Sequence, residues 1–369
     1  MQFTSTVRDP IPFCRVDSLE ALSSIANLRR SIARETKDQE ISVKKMSLGF
    51  TCLVILSAGL LHGQPAAPAP TEQMVPVEPD VKLQVLDWGG TGRPLIFLSG
   101  LGDDAHVYDK FAPKFTEKYH VYGITRRGFG ASSKPAPTNE NYNADRLDDD
   151  VLAVIDDLKL DRPVLVGHSI AGEELSSVGS RHPEKISGLI YLEAGMGYAY
   201  YDPGAGWIVL DMLDLKRKLN QFQEGAIQNE KQFLHDMLAA TLQFEKDLQQ
   251  MNRETPNLPA PPTPPPPPRR PAIPAAIQFG EQKYTKIDAP ILAIFAIPHD
   301  LGPLFKDYPA AKAAMVEADR ERFSAQANAF EAGLPSAHVV RMPNASHYVF
   351  KSNEADVIRE MNAFLSKLP

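Results

Sequence analysis

The sequence predicts an α/β domain, a mostly parallel sheet wrapped by helices on both faces. Three observations carry that prediction. Short apolar runs alternate with longer stretches of helical period. One run, Val164-Leu165-Val166-Gly167-His168, turns at Ser169 into Ala171-Gly172-Glu173-Glu174-Leu175, which continues as a helix. The chemically active side chains fall at the carboxyl ends of the runs, where parallel sheets collect them.

The chain of 369 residues holds one large α/β domain with additions. Apolar residues at 43% and charged ones at 23% are ordinary for a globular protein. A formal net charge of -7 argues against a nucleic-acid partner. The only cysteines, Cys14 and Cys52, precede the domain, which therefore has no disulfide framework or thiolate metal site.

Residues 1–45 are polar and basic. Lys44-Lys45, an apolar stretch to Leu61 and then His62-Gly63-Gln64-Pro65-Ala66-Ala67 form the pattern of a secretory signal over residues 46–64. The apolar stretch is shorter than the ~20 residues of a spanning helix. Its displacement from residue 1 implies a translation start at Met46, with residues 1–45 an over-called extension. The rival reading is an uncleaved membrane anchor. Cleavage leaves a secreted or periplasmic chain with no stable membrane association. Residues 65–80, rich in proline and alanine, read as a linker.

The domain then occupies residues 81–197 and 285–369. Val81 to Trp88 alternates as a strand, and Gly89-Gly90-Thr91-Gly92 turns the chain. Pro94-Leu95-Ile96-Phe97-Leu98 is a buried strand that ends in Ser99-Gly100-Leu101-Gly102. No Walker-type lysine follows this loop, so it is not read as a phosphate cradle. Its place upstream of the serine turn suits the second donor of an oxyanion hole, the N–H of Leu101 beside that of Ile170. Val121 to Ile124 is the next strand; Arg126 and Arg127 after it are read as structural rather than as an anion site. Residues 144–158 carry apolar positions at helical spacing, and Asp148-Asp149-Asp150 there is read as a solvated face, since consecutive carboxylates on a helix diverge.

After the helix that follows Ser169, Ile186 to Leu192 is a buried strand ending at Glu193. Strand patterning then stops over residues 198–284. Residues 211–251 read as amphipathic helix, and Pro264-Pro265-Pro266-Pro267-Pro268 is extended and exposed. Residues 289–297 resume the sheet and end at Asp300. A helix over 310–332, a strand over 337–342 ending near His347, and a helix over 353–365 close the domain.

Gly-x-Ser-x-small between a strand and a helix strains the serine and lifts its hydroxyl above the sheet edge. A serine needs a base to take its proton, and His347 is the candidate. An acid must orient that histidine; Asp300 and Glu193 both stand at strand ends on the correct edge of the sheet, and topology does not choose between them. His168 is read as a structural neighbour of the turn, and His106 as a possible pocket residue.

These pieces together resemble the α/β-hydrolase superfamily. They are Asp87-Trp88-Gly89-Gly90-Thr91-Gly92, Ser99-Gly100-Leu101-Gly102, Arg127-Gly128-Phe129-Gly130-Ala131-Ser132, Gly167-His168-Ser169-Ile170-Ala171-Gly172 and Ala345-Ser346-His347. The resemblance implies an eight-stranded, mostly parallel sheet and a helical cap at 198–284. Ser99 departs from the histidine of many members, and Ala171 from the usual second glycine. The acid is ambiguous: the resemblance favours Asp300, after the cap, and Glu193, similar to the acid of a subgroup that places it before the cap, is the alternative.

The resemblance implies a serine hydrolase that acts on a small-molecule carboxylic ester through an acyl-enzyme. No metal or organic cofactor is needed. Serine at the turn argues against the members that use a carboxylate nucleophile on epoxides or haloalkanes. A carbon–carbon bond hydrolase with the same triad, and a binding protein that retains the fold, are the alternatives.

Overall fold

The alternation of side chains along each strand sorts the chain into three layers. The computed structural model describes residues 69–254, 272–302 and 309–369. The strands are β1 (Thr71–Glu78), β2 (Val81–Gly89), β3 (Pro94–Leu98), β4 (His120–Ile124), β5 (Val164–His168), β6 (Gly188–Leu192), β7 (Ile291–Ala296) and β8 (Ala337–Met342). They form one sheet in the order β1-β2-β4-β3-β5-β6-β7-β8. Only β2 pairs antiparallel, with β1 and β4; the other neighbours are parallel.

Successive residues of a strand face opposite sides. In β3, Ile96 and Leu98 therefore enter one apolar layer, and Leu95 and Phe97 the other. The first layer is completed by helices α1 (Ala144–Asp157), α2 (Ala171–Arg181) and α6 (Pro309–Gly333), through Val151, Val154, Leu175, Val178 and Phe330. The second is completed by α7 (Glu354–Leu365), whose Val357, Met361 and Leu365 recur at helical spacing, and by Phe111, Phe115 and Phe350. Burying each such side chain contributes ~1.5–3 kcal/mol.

Between β6 and β7 the described residues form α3 (Ile208–Gln223), α4 (Glu230–Glu254) and α5 (Ala272–Phe279); α6 (Pro309–Gly333) joins β7 to β8. The segment expected as a cap is thus helical. The polyproline run, the extension expected at 1–45 and the signal expected at 46–64 lie outside the described residues. Among the described residues no helix is long and apolar enough to cross a membrane.

Two expectations are corrected here. Residues 71–78 are a strand rather than part of a linker. Val75 is its one buried position, and Pro76 is tolerated because β1 lies at the sheet edge, where a missing N–H costs no ladder bond. The acidic run on α1 is not a uniformly solvated face. Asp150 is buried and accepts from Nε of Arg127 at 2.6 Å, and Asp148 is buried and accepts from Ser177 at 2.8 Å. Each inward carboxylate has a partner waiting for it, as buried charges require.

Candidate active site

The site begins with a strained residue. Ser169 has φ +55°, between the end of β5 and the start of α2. A non-glycine residue is held in this region only where the surroundings over-determine it. Here they do. A Cβ on Gly172 would lie 1.9 Å from the carbonyl oxygen of Ala194, so the helix meets the β6 end backbone to backbone. Gly172, rather than position 171, carries the strict demand for a small residue.

On the other side lies the loop after β3. A Cβ on Gly100 would stand 2.8 Å from Nδ1 of His168 and 3.3 Å from Cβ of Ser169, so the Leu101 loop rests on the turn. Arg126 fastens it there: one Nη donates to the Ser99 carbonyl at 2.9 Å, and the guanidinium grips Glu174 of α2 at 2.6 and 2.7 Å. The two arginines are structural, as expected. The N–H groups of Leu101 and Ile170 thus belong to the two segments that flank Ser169.

His347 lies in the loop after β8. Its Nε2 is 2.9 Å from Oγ of Ser169, and its Nδ1 is 3.3 Å from Oε2 of Glu193. With a proton on Nδ1, the ring donates to Glu193 and accepts from the serine. The backbone carbonyl of His347 accepts from Nε2 of His168 at 2.9 Å. Burial, and then the neighbouring His347, push the pKa of His168 down to about 3, so it is a neutral brace, not a second base.

Glu193 is the carboxylate that reaches His347, and the preference for Asp300 is corrected. Glu193 sits at the end of β6 with φ +53° and is buried. Its Oε1 accepts from the Ala296 N–H at 2.6 Å. Burial acts to raise its pKa, but hydrogen bonds from His299 and His347 outweigh that and hold it at about 2. Asp300 is exposed, and its Oδ1 accepts from the Gly302 N–H at 2.8 Å. The physical reason is alternation past the end of β7: His299 turns inward, with Nε2 2.6 Å from Oε2 of Glu193, so its neighbour turns outward.

Sequence reasoning passed over four groups. His299 is one, and Asp319 of α6, 3.0 Å from its Nδ1, is the second. Tyr198 is the third: burial raises its hydroxyl pKa well above the usual value, several carboxylates add to this, and a hydrogen bond with Ser169 opposes it. Like Leu101 and Phe129, it packs against the apolar cluster that contains Ile170. The fourth is Glu173, in the first turn of α2, fully buried with neither carboxylate oxygen partnered among the described residues. None follows a motif, since each depends on which elements the fold brings together. His106 is bonded elsewhere, with Nδ1 3.0 Å from Oδ2 of Asp109.

Glu193, His299 and His347 each place one donor atom within 4.8 Å of the others, a spacing at which three such side chains could hold an ion. Their mutual hydrogen bonds and that of His347 to Ser169 account for the same spacing.

The family described as alpha/beta hydrolase fold matches this chain over residues 93–354. The chain is 30% identical over 116 residues to a fluoroacetate dehalogenase of Burkholderia sp, covering 31% of this chain and 38% of that one. It is 32% identical over 112 residues to 3-oxoadipate enol-lactonase 2 of Acinetobacter baylyi, covering 30% and 41%. The chain thus spans about two fifths of the length of these curated relatives. The solved bromoperoxidase from Bacillus anthracis superposes with a TM-score of 0.50 at 17% identity, over 80% of this chain and 100% of that one, a likeness of fold alone.

Proposed function

Since the chain belongs to the α/β-hydrolase family, we propose that it is a serine hydrolase of small carboxylic esters, with Ser169, His347 and Glu193 as its triad. The observation that carries the reading is the pair of contacts of His347, 2.9 Å to the serine oxygen and 3.3 Å to the buried carboxylate.

Oγ of Ser169 attacks the ester carbonyl while Nε2 of His347 takes its proton. The carbonyl oxygen becomes an oxyanion held by the N–H groups of Leu101 and Ile170; one such donor is worth ~3 kcal/mol of barrier. The intermediate collapses, the C–O bond to the alcohol breaks, and His347 returns the proton to the leaving oxygen. Water, deprotonated by the same histidine, then hydrolyses the acyl-enzyme. Glu193 stays ionised throughout and stabilises the His347 cation. The scheme uses neither metal nor organic cofactor. The enol-lactonase likeness supports ester chemistry, a lactone being a cyclic ester.

A panel of short-chain and long-chain esters tests the reading. The purified chain should turn over at least one, and Ser169→Ala should abolish that turnover. Wild-type turnover in the alanine variant would overturn the nucleophile.

Export is proposed on the pattern over 46–64. N-terminal sequencing of the secreted or periplasmic protein should find a start between Gly63 and Ala69. A soluble mature chain beginning near Met1 would contradict it.

A further inference from the structure

We propose that His299, held by Asp319, is a positioning residue for the triad: its charged ring fixes the Glu193 carboxylate and keeps it ionised beneath His347. The inference rests on Glu193 being the acid of the reaction proposed above, and it concerns two groups placed one shell behind the reacting atoms.

Both nitrogens of the His299 ring face carboxylate oxygens. Nε2 lies 2.6 Å from Oε2 of Glu193, and Nδ1 lies 3.0 and 3.1 Å from the two oxygens of Asp319. A neutral imidazole has one N–H and one lone pair, so it would turn a lone pair toward one of the two anions. Only the imidazolium donates at both ends. Asp319 also accepts the backbone N–H of His299 at 2.7 Å, so one carboxylate fixes ring and backbone together. The charged groups that face the ring are Glu193 from β6, His347 from the loop after β8 and Asp319 from α6. Phe323 of α6 stands against it edge to face at 4.4 Å, with the Arg322 guanidinium 6.0 Å from that phenyl ring. The His299 and Asp319 side chains are only 12% and 15% exposed, so salt screens the pair little. In keeping with this, burial lowers the His299 pKa, but the bonds to Asp319 and Glu193 prevail and push it up to about 10.

The consequence concerns Glu193. A buried carboxylate opposite a neutral histidine tends to take up a proton. A protonated Glu193 would no longer be a pure acceptor for Nδ1–H of His347, and the tautomer that leaves Nε2 free for Ser169 would lose its support. The His299 cation removes that competition. It also shares Oε2 with His347 and holds the shorter of the two bonds, which leaves less of the carboxylate's pull for the His347 cation.

The test compares His299→Gln and Asp319→Asn in the full chain. His299→Gln removes the charge. A proton taken up at Glu193 is then bound at higher pH, because the neighbouring cation that opposed it is gone. The acid limb of kcat/KM should move up by about one pH unit, with kcat reduced roughly 10- to 100-fold and KM within about twofold. Asp319→Asn keeps the ring but removes its second anion. This variant should approach wild type near about pH 6 and fall below it on the alkaline side, where its ring loses the proton that wild type keeps. A brace that served only the fold would move neither limb. A folded His299→Gln variant with wild-type kcat and an unshifted acid limb overturns the proposal. If that variant does not fold, nitrogen NMR of the histidine-labelled wild-type chain decides. One ring, altered by Asp319→Asn, should remain doubly protonated at about pH 8; all rings neutral there overturns the proposal. Failure of the underlying triad is seen separately, as full turnover in Glu193→Gln whatever His299 does.

Discussion

Glu193→Gln should cost up to about 10⁴ in kcat, because an amide at this point supports the wrong tautomer of His347, whereas Asp300→Asn should leave turnover near wild type. Steady-state kinetics on the two variants decides it; a large loss in Asp300→Asn with little change in Glu193→Gln would reverse the assignment. The same residues set a pH signature on stability. Glu193 has a depressed pKa of about 2, so its contribution is present above the unfolded value near ~4.5 and is lost as pH falls through 2. His299 is raised to about 10, so its contribution is full below ~6.5 and is lost as pH rises through 10. The pair therefore stabilises fully only between those unfolded values. What could be read in the sequence at this scale was the nucleophile, the base and the two strand ends from which an acid could come. The choice between the ends depended on which residue after β7 turns inward, His299 or Asp300, and Pro298, between β7 and this pair, hides in the sequence that the alternation runs on.

Helix α2 carries a conflict between fold and site. Its first turn places Glu174 on Arg126, a buried pair in which both carboxylate oxygens are bonded. The preceding Glu173 has no such partner. Burial raises its pKa well above the usual value, and the carboxylates of Glu281 and Glu174 push in the same direction against Arg126. Burial likewise pushes Glu281, on the segment that returns from the helical insertion, up to about 8. A raised carboxylate binds its proton more tightly when folded, so its ionisation costs stability as pH rises above ~4.5. Glu173→Gln should therefore stabilise by about 1–3 kcal/mol at alkaline pH and by little near pH 4. Urea unfolding at the two pH values measures it, and an equal destabilisation at both would show that the carboxylate has a partner the present geometry does not give it. The other elements were legible in proportion to their apolar pattern. The seven buried or alternating strands and the core helices stand out, but β1 does not, since Val75 alone of its eight residues is buried and Pro76 reads as a linker signal.

At the scale of the whole molecule, the sheet order brings the ends of β3, β5, β6, β7 and β8 side by side, so residues from Leu101 to His347 meet at one edge. The parallel sheet explains why so little of the sequence marks the site: β3 pairs with β5, and β6 with β7, across long intervening stretches. The helical insertion between β6 and β7 was visible as a lapse of strand pattern, and its relation to the serine, through Tyr198, was not. All of this organisation serves one claim, that the Ser169 oxygen is a nucleophile made reactive by His347. The most direct measurement is the intact mass and peptide map of the chain after reaction with a fluorophosphonate. One phosphonyl group is expected, on Ser169, formed in the wild type and absent from Ser169→Ala and from unfolded protein. An active, folded enzyme whose Ser169 stays unmodified while ester turnover continues, or whose label maps to another residue, would contradict it.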